Sequence, residues 1–297
     1  MRKRTVIVGI GTTALAAWGV ARAKRLLGGH TPDETGRFPS GMEYARWGDG
    51  PKKVLWIPGG PGGDVPRGTF GAFQGRQFRA LVGAGFSVWY VTRRRNMPVG
   101  HSVADMADDY AALIRDHLGG RVDVVVGVSY GGLIAQYIAA EHPATAERVV
   151  LALAAATITP WARDVDRRMA VARAEGRMDD AALAMSEYLF PNPGQSRQRR
   201  LVAPLMRGTF SDEQVPSGDL LVEADAEVAF DARAVLPQIE LPVLVVSAQE
   251  DLFFPREVVQ ETVDLIPDCT WIEYEGIGHI RAVGSGRLAE DIAAFAQ

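Results

Sequence analysis

From residue 41 onward, short apolar runs rich in β-branched residues alternate with longer stretches in which apolar positions recur at helical spacing. Val54–Ile57, Phe86–Val91, Val122–Val126, Arg148–Ala154, Leu241–Ser247 and Thr270–Tyr274 are short, and glycine, proline or a polar turn bounds most of them. They read as buried strands. Glu43–Trp47 reads as a further strand, closed by the turn Gly48-Asp49-Gly50-Pro51. Helical spacing runs through Phe73–Leu81, Asp105–Leu118, Gly131–Glu141, Arg256–Leu265 and Arg287–Phe295. Strands that alternate with helices imply an α/β fold, with a mostly parallel central sheet covered by helices on both faces.

One long interruption breaks this rhythm. Residues 157 to 236 contain no strand-like run, and Val165, Met169 and Ala172 share a helical face, with Leu183, Tyr188 and Leu189 following. We read the segment as an inserted helical cap and divide the chain accordingly. Residues 41–156 and 237–297 form the α/β core, 26–40 a linker, and 1–25 a separate N-terminal segment. The ten arginines and thirteen acidic residues of the cap are expected on a solvated surface. Arg93-Arg94-Arg95, after one core strand, is likewise expected to be solvated or salt-bridged.

The first 25 residues change the charge picture. They carry six basic and no acidic side chains, flanking a seventeen-residue uncharged stretch from Thr5 to Ala21, and without them the net charge moves from −4 to −10. A basic start followed by such a stretch has the layout of an export signal, with Ala21-Arg22-Ala23 as a cleavage site. At ~1.5 Å per residue it spans roughly 25 Å, so a membrane anchor is the other reading, favoured by the basic residues that follow it. Either places the protein outside the cytoplasm or on a membrane; a cytoplasmic protein is the alternative. Gly9-Ile10-Gly11-Thr12-Thr13-Ala14 mimics a dinucleotide-binding loop, but no acidic strand end follows about twenty residues later. No nucleotide cofactor is therefore expected. A body this acidic is not a nucleic-acid binder. The single cysteine, Cys269, excludes an intrachain disulfide and a multi-cysteine metal site, and no metal is expected.

The chemistry concentrates at Gly127-Val128-Ser129-Tyr130-Gly131, between the apolar run Val122–Val126 and a helical stretch. A strand that turns sharply into a helix with Gly-x-Ser-x-Gly at the bend is a nucleophile elbow, which presents the serine hydroxyl at the edge of the sheet. A serine hydroxyl needs a base, and the base an orienting carboxylate. In such folds the acid and then the histidine follow the serine. Of five histidines, His279 alone comes after a suitable acid, in a glycine-rich loop past the last strand. Glu250 and Asp251, at the end of the strand Leu241–Ser247, are the candidate acids. The oxyanion of acyl transfer needs backbone donors. These are expected from Tyr130, next to the nucleophile, and from Gly60 in the loop Pro58-Gly59-Gly60-Pro61-Gly62-Gly63. Trp161, Met185 and Phe190 of the cap are candidates to line an apolar substrate pocket. Glu223 and Glu227, one helical turn apart, are expected on a solvated face.

Gly-Val-Ser-Tyr-Gly-Gly, the Gly-Gly-Pro-Gly loop and His279 together resemble the α/β-hydrolase superfamily over residues 41 to 297. The resemblance implies Asp251 as the acid. The loop at 58–62 is similar to the His-Gly-Gly-Pro-Gly loop of proline iminopeptidases and capped esterases, with Pro58 where those carry histidine. It implies a serine hydrolase of a small or medium ester, lactone or thioester that works without a cofactor on a small-molecule acyl substrate. The alternatives are an iminopeptidase-like aminopeptidase and, from another class, a non-catalytic ligand-binding protein of the same fold.

Overall fold

The structure, a computed structural model, describes residues 31–207 and 215–297. The basic and apolar N-terminal segment, with its glycine motif, lies outside the described residues. Among the described residues no helix is long and apolar enough to cross a membrane.

Eight strands form one sheet: β1 (Glu34–Arg37), β2 (Glu43–Trp47), β3 (Lys52–Ile57), β4 (Phe86–Val91), β5 (Val122–Val128), β6 (Ala146–Ala152), β7 (Val243–Ala248) and β8 (Cys269–Tyr274). Their spatial order is β1-β2-β4-β3-β5-β6-β7-β8. β1 and β2 are antiparallel, and every pairing from β4 onward is parallel. β1 falls in the stretch expected to be a linker. It pairs Glu34 with Arg46 and Arg37 with Glu43, so the sheet begins earlier than apolar patterning suggested. Its residues are mostly exposed, and an exposed edge strand leaves no hydrophobic signature.

The helices of the core are α1 (Gly68–Gln77), α2 (Arg79–Gly83), α3 (Val103–His117) and α4 (Tyr130–Glu141). The single helix expected over Phe73–Leu81 is thus two short helices. Ser102 caps α3 through a reciprocal capping box with Asp105, which sets where that helix starts. Two apolar layers sandwich the sheet. On one face Leu55, Ile57, Val125 and Leu151 pack against Tyr110, Ile114, Leu133 and Ile138 of α3 and α4. On the other, Trp56, Val126, Val150 and Val246 pack with Phe78, Leu81 and Ile292. Over most of their lengths β3 and β5 through β7 are buried on both faces, which explains their apolar runs, whereas the edge strand β8 is only partly covered.

Between β6 and β7 come α5 (Pro160–Ala174), α6 (Met178–Met185), α7 (Ser196–Met206) and α8 (Ser217–Ala229), with no strand among the described residues. Thr159 caps α5 and ties it to the core, donating from Oγ1 to the carbonyl of Leu252 at 2.9 Å. After β7 follow α9 (Arg256–Leu265), α10 (His279–Val283) and α11 (Arg287–Phe295).

Candidate active site

The register of the parallel strands brings the chemistry to one edge of the sheet. Ile57, the last residue of β3, pairs with Gly127 of β5, and Val128 pairs with Ala152 at the end of β6. The oxyanion loop and the elbow therefore leave the sheet side by side.

Steric space explains why the elbow is spelled as it is. A Cβ on Gly127 would lie 2.3 Å from the carbonyl oxygen of Gly131, and one on Gly131 would lie 2.2 Å from that of Ile57. A Cβ on Gly59 would meet the Val128 carbonyl and the Ser129 Cβ at 2.7 and 2.8 Å, so the oxyanion loop rests directly on the elbow. Ser129 itself sits at φ 51°, ψ −117°, a region costly for a side-chain-bearing residue. Its N–H donates to Ala152 and its carbonyl accepts from Gly132, each at 2.8 Å, which holds the bend.

His279 opens α10 rather than lying in a loop, with Gly278 before it in extended conformation. Its Nε2 is 3.0 Å from Ser129 Oγ and its Nδ1 is 2.7 Å from Asp251 Oδ2. The other oxygen of Asp251 accepts from the N–H groups of Phe253 and Phe254 at 2.8 and 3.1 Å. Glu250 is exposed, and its N–H donates to the Ile277 carbonyl at 3.0 Å, lacing the β7 loop to the β8 loop that leads to His279. Asp251 is thus the carboxylate brought to the imidazole. The chain of contacts gives the serine hydroxyl a proton acceptor whose far nitrogen faces a buried carboxylate.

Tyr130 is the first residue of α4, so its N–H has no acceptor within the helix. Gly60, at φ +69°, has open space where a Cβ would point, and its N–H meets no protein acceptor among the described residues. Gly62 does not share this freedom. Its N–H donates to Glu223 Oε2 at 2.5 Å.

The solvated face expected of Glu223 and Glu227 needs correction. Glu223 and Glu227 are not on a solvated face but 1% and 3% exposed. The arginine run is salt-bridged, one of the two settings expected of it: Arg93 pairs with Glu223, Arg94 with Asp109 and Arg95 with Glu43, and Arg93 is 1% exposed and Arg95 buried. Glu227 hydrogen-bonds to Asp166, a residue sequence reasoning passed over, and Tyr188 also donates to Asp166. Burial is the largest influence and raises both acids above their ordinary range, while the hydrogen bond between them acts downward on Asp166 and upward on Glu227, which favours a proton retained by the pair. No sequence signal separates these acids from the surface ones around them.

The apolar candidates divide. Trp161 stacks edge-on against Phe253, with ring centroids 5.1 Å apart, and Phe253 lies against His279. Met185 instead lines a small cavity within the insertion, together with Met169, Met178 and Met206. Phe190 lies at the turn before α7, where its carbonyl accepts from Arg199. Neither has a described contact with the serine, and the aromatic residues beside the imidazole are Phe253 and Phe254. Cys269 opens β8 half-buried, and burial pushes its thiol up to about 11, so it is no second nucleophile. Asp108, Glu141 and His142 bring potential ligand atoms within 4.8 Å of one another, but the group is largely exposed and His142 Nε2 is already hydrogen-bonded to Asp108 at 2.7 Å.

Comparison with known proteins follows the same lines. Over 191 residues the chain is 29% identical to RutD of Yersinia enterocolitica, a protein named as a carbamate hydrolase, covering 63% of this chain and 66% of that one. It is 30% identical to part of the polyketide synthase ThaQ of Burkholderia thailandensis, covering 89% of this chain and 12% of that one. The chain thus spans just under two thirds of the first relative and a small part of the second. Its fold matches the enol-lactonase of Burkholderia xenovorans LB400 with a TM-score of 0.62, at 22% identity, over 86% of this chain and 95% of that one. Residues 54–294 match the alpha/beta hydrolase family, and the chain belongs to it.

Proposed function

We propose that the protein is a serine hydrolase that cleaves a small or medium uncharged ester through an acyl-enzyme at Ser129. The observation that carries this reading is the chain from Ser129 Oγ through His279 to Asp251. Ser129 attacks the ester carbonyl while His279 Nε2 takes its proton. Asp251 holds Nδ1–H and stabilises the imidazolium. The N–H groups of Gly60 and Tyr130 receive the oxyanion. The leaving alcohol takes the proton from Nε2. Water, activated by the same nitrogen, then releases the acid and restores the serine.

Two features favour an uncharged substrate. Phe253, Trp161 and Tyr188 build an aromatic wall from the imidazole into the insertion, which acts as a cap over the serine. Glu223, which accepts from the Gly62 N–H of the oxyanion loop, already has its charge matched by Arg93. The carbamate and lactone named for the relatives are acyl compounds of the same kind, and both belong in a substrate panel beside simple esters. A second reading rests on the Asp166–Glu227 pair, which could hold a substrate ammonium in an iminopeptidase-like reaction.

Ser129→Ala should lower turnover on the order of a millionfold, and a fluorophosphonate probe should label the wild type at Ser129 alone. Retained activity in that variant rejects the mechanism, and a wild type that neither labels nor turns over any of the substrates favours a ligand-binding protein of this fold. The substrate class is decided by kcat/KM for acetyl and butyryl esters, a lactone and a carbamate against a prolyl arylamide, each relative to its uncatalysed rate. A larger enhancement for the amide, lost in Glu227→Gln, would replace the esterase reading.

A further inference from the structure

We propose that Arg93 and Glu223 are positioning residues for the oxyanion donors, so that the insertion helix α8 completes the catalytic machinery by holding the glycine-rich loop in shape. The inference rests on Ser129 being the nucleophile.

The loop has little of its own to define it. Gly60 is free to rotate, with nothing within 4 Å of where its Cβ would be, and the prolines at 58 and 61 offer no N–H to tie. Arg93 supplies the missing constraint. Its Nη1 donates to the Pro58 carbonyl at 3.0 Å and its Nη2 to the Gly60 carbonyl at 2.7 Å. Those two carbonyls belong to the peptide units on either side of the unit that carries the Gly60 N–H. Because each peptide unit is planar, fixing both flanks fixes the direction of the N–H between them. Glu223 then accepts from Gly62 N–H at 2.5 Å and from Arg93 Nε at 2.6 Å. Arg95 continues the clamp, donating to the carbonyls of Gly62 and Gly63 at 2.7 and 3.0 Å.

The same pair reaches the second donor. The Arg93 guanidinium lies over the Tyr130 ring, 4.7 Å from its centroid, and the Tyr130 hydroxyl donates to the Glu223 carbonyl at 2.9 Å. Thus one ion pair orients the residues that carry both donors. Helix α8 is seated by a separate contact, since Asp219 accepts from the N–H groups of Asn96 and Met97 at 2.9 and 2.8 Å. The loop that bears Arg93 and Arg95 is therefore held by the same helix that bears Glu223.

A fully buried ion pair is a poor way to gain stability, because removing two charges from water offsets most of their attraction. An apolar pair of similar volume avoids that desolvation but leaves the Pro58 and Gly60 carbonyls and the Gly62 N–H without these partners. The guanidinium does what such a pair cannot. It offers donors in several directions at once, and reaches two carbonyls and a carboxylate together.

The test separates positioning from simple stapling. Arg93→Lys, Glu223→Gln and the double variant Arg93→Met/Glu223→Met are compared with wild type for kcat, KM, melting temperature and inhibition by a trifluoromethyl ketone, whose hemiketal oxyanion must sit in the same hole. Misplacing a donor should lower kcat roughly 10- to 1000-fold, with KM for the ester moving little. The ketone inhibition constant should rise by the factor that kcat falls. The double variant strands no charge but leaves the Pro58 and Gly60 carbonyls and the Gly62 N–H without these partners, so it should melt below wild type and, assayed at a temperature where it is folded, still show the loss. Full activity in the folded double variant overturns the proposal, as does a fall in kcat with unchanged ketone affinity, or an effect on KM alone. Should Ser129→Ala remain active, the nucleophile reading fails instead, and the two failures are told apart.

Discussion

Phe253 lies against the imidazole of His279 with ring centroids 4.4 Å apart and planes tilted by 31°. The same residue donates its N–H to Asp251, and its ring meets Trp161 at 5.1 Å and Tyr188 at 5.3 Å. One side chain thus separates the histidine from the insertion and sets the plane in which the imidazole can lie.

Phe253→Ala should therefore reduce kcat by about 10- to 100-fold, the scale of a catalytic group displaced by about an ångström. Phe253→Leu, which restores most of the volume, should recover much of the loss. Steady-state kinetics on both variants check this, and an unchanged kcat in the alanine variant would mean that the ring merely lines the cleft.

Asp251 does two jobs with its two oxygens, and two substitutions separate them. Asp251→Asn keeps an oxygen for the N–H groups of Phe253 and Phe254, yet removes the charge facing His279. Turnover should drop by about 10⁴-fold, with a melting temperature near wild type. Asp251→Ala should lose activity and also stability, because it strands two buried N–H groups at about 1–3 kcal/mol each. Equal melting temperatures for the two variants would contradict that account.

The sequence already held the elbow, the order of the parallel strands' elements and the histidine, because steric and periodic constraints on those residues leave a visible pattern. Gly127 and Gly131 are demanded by backbone contacts, and the runs in β3 and β5 through β7 by burial on both faces. The tertiary partners of charged residues left no such trace. Arg93 and Glu223 stand 130 positions apart, and a buried acid reads like an exposed one until its partner is known. β1 was equally silent, since it contributes hydrogen bonds and almost no core.

Two glycines should respond in opposite ways to the same substitution. Gly131→Ala drives a methyl group to within 2.2 Å of the Ile57 carbonyl, where backbone on both sides leaves no room. It should cost well over 2 kcal/mol, or prevent folding, an overpacking penalty at the upper end of the usual scale. Gly218, in the first turn of α8, has nothing within 4 Å of the added carbon. Gly218→Ala should stabilise by about 0.5–1 kcal/mol through the unfolded chain's lost freedom. Thermal denaturation of the pair measures both, and a Gly131→Ala variant as stable as wild type would disprove the tight crossing of elbow and β3.

The Asp166–Glu227 pair predicts an unusual dependence of stability on pH. Burial is the largest influence on each; Glu223 raises both further, while Arg163 acts the other way on Glu227 and His279 on Asp166. An unfolded carboxyl gives up its proton near pH 4, whereas the folded pair retains one well above that. In the window between, the folded state binds more protons than the unfolded one, so stability falls as pH rises. The contribution is fully present below the unfolded value and is lost progressively toward and beyond pH 7, where Asp166 titrates in the folded protein. Glu227→Gln replaces the retained proton with a permanent amide donor to Asp166 and should lessen this decline, leaving only the part due to the burial of Asp166 itself. The stability of the variant relative to wild type should therefore grow between pH 5 and pH 8, by at least the ~1.4 kcal/mol that one unit of pKa represents. Denaturant unfolding at pH 5, 6, 7 and 8 gives the two curves. If they run parallel, the pair is ionised like any surface carboxylates, and the protonated arrangement is wrong.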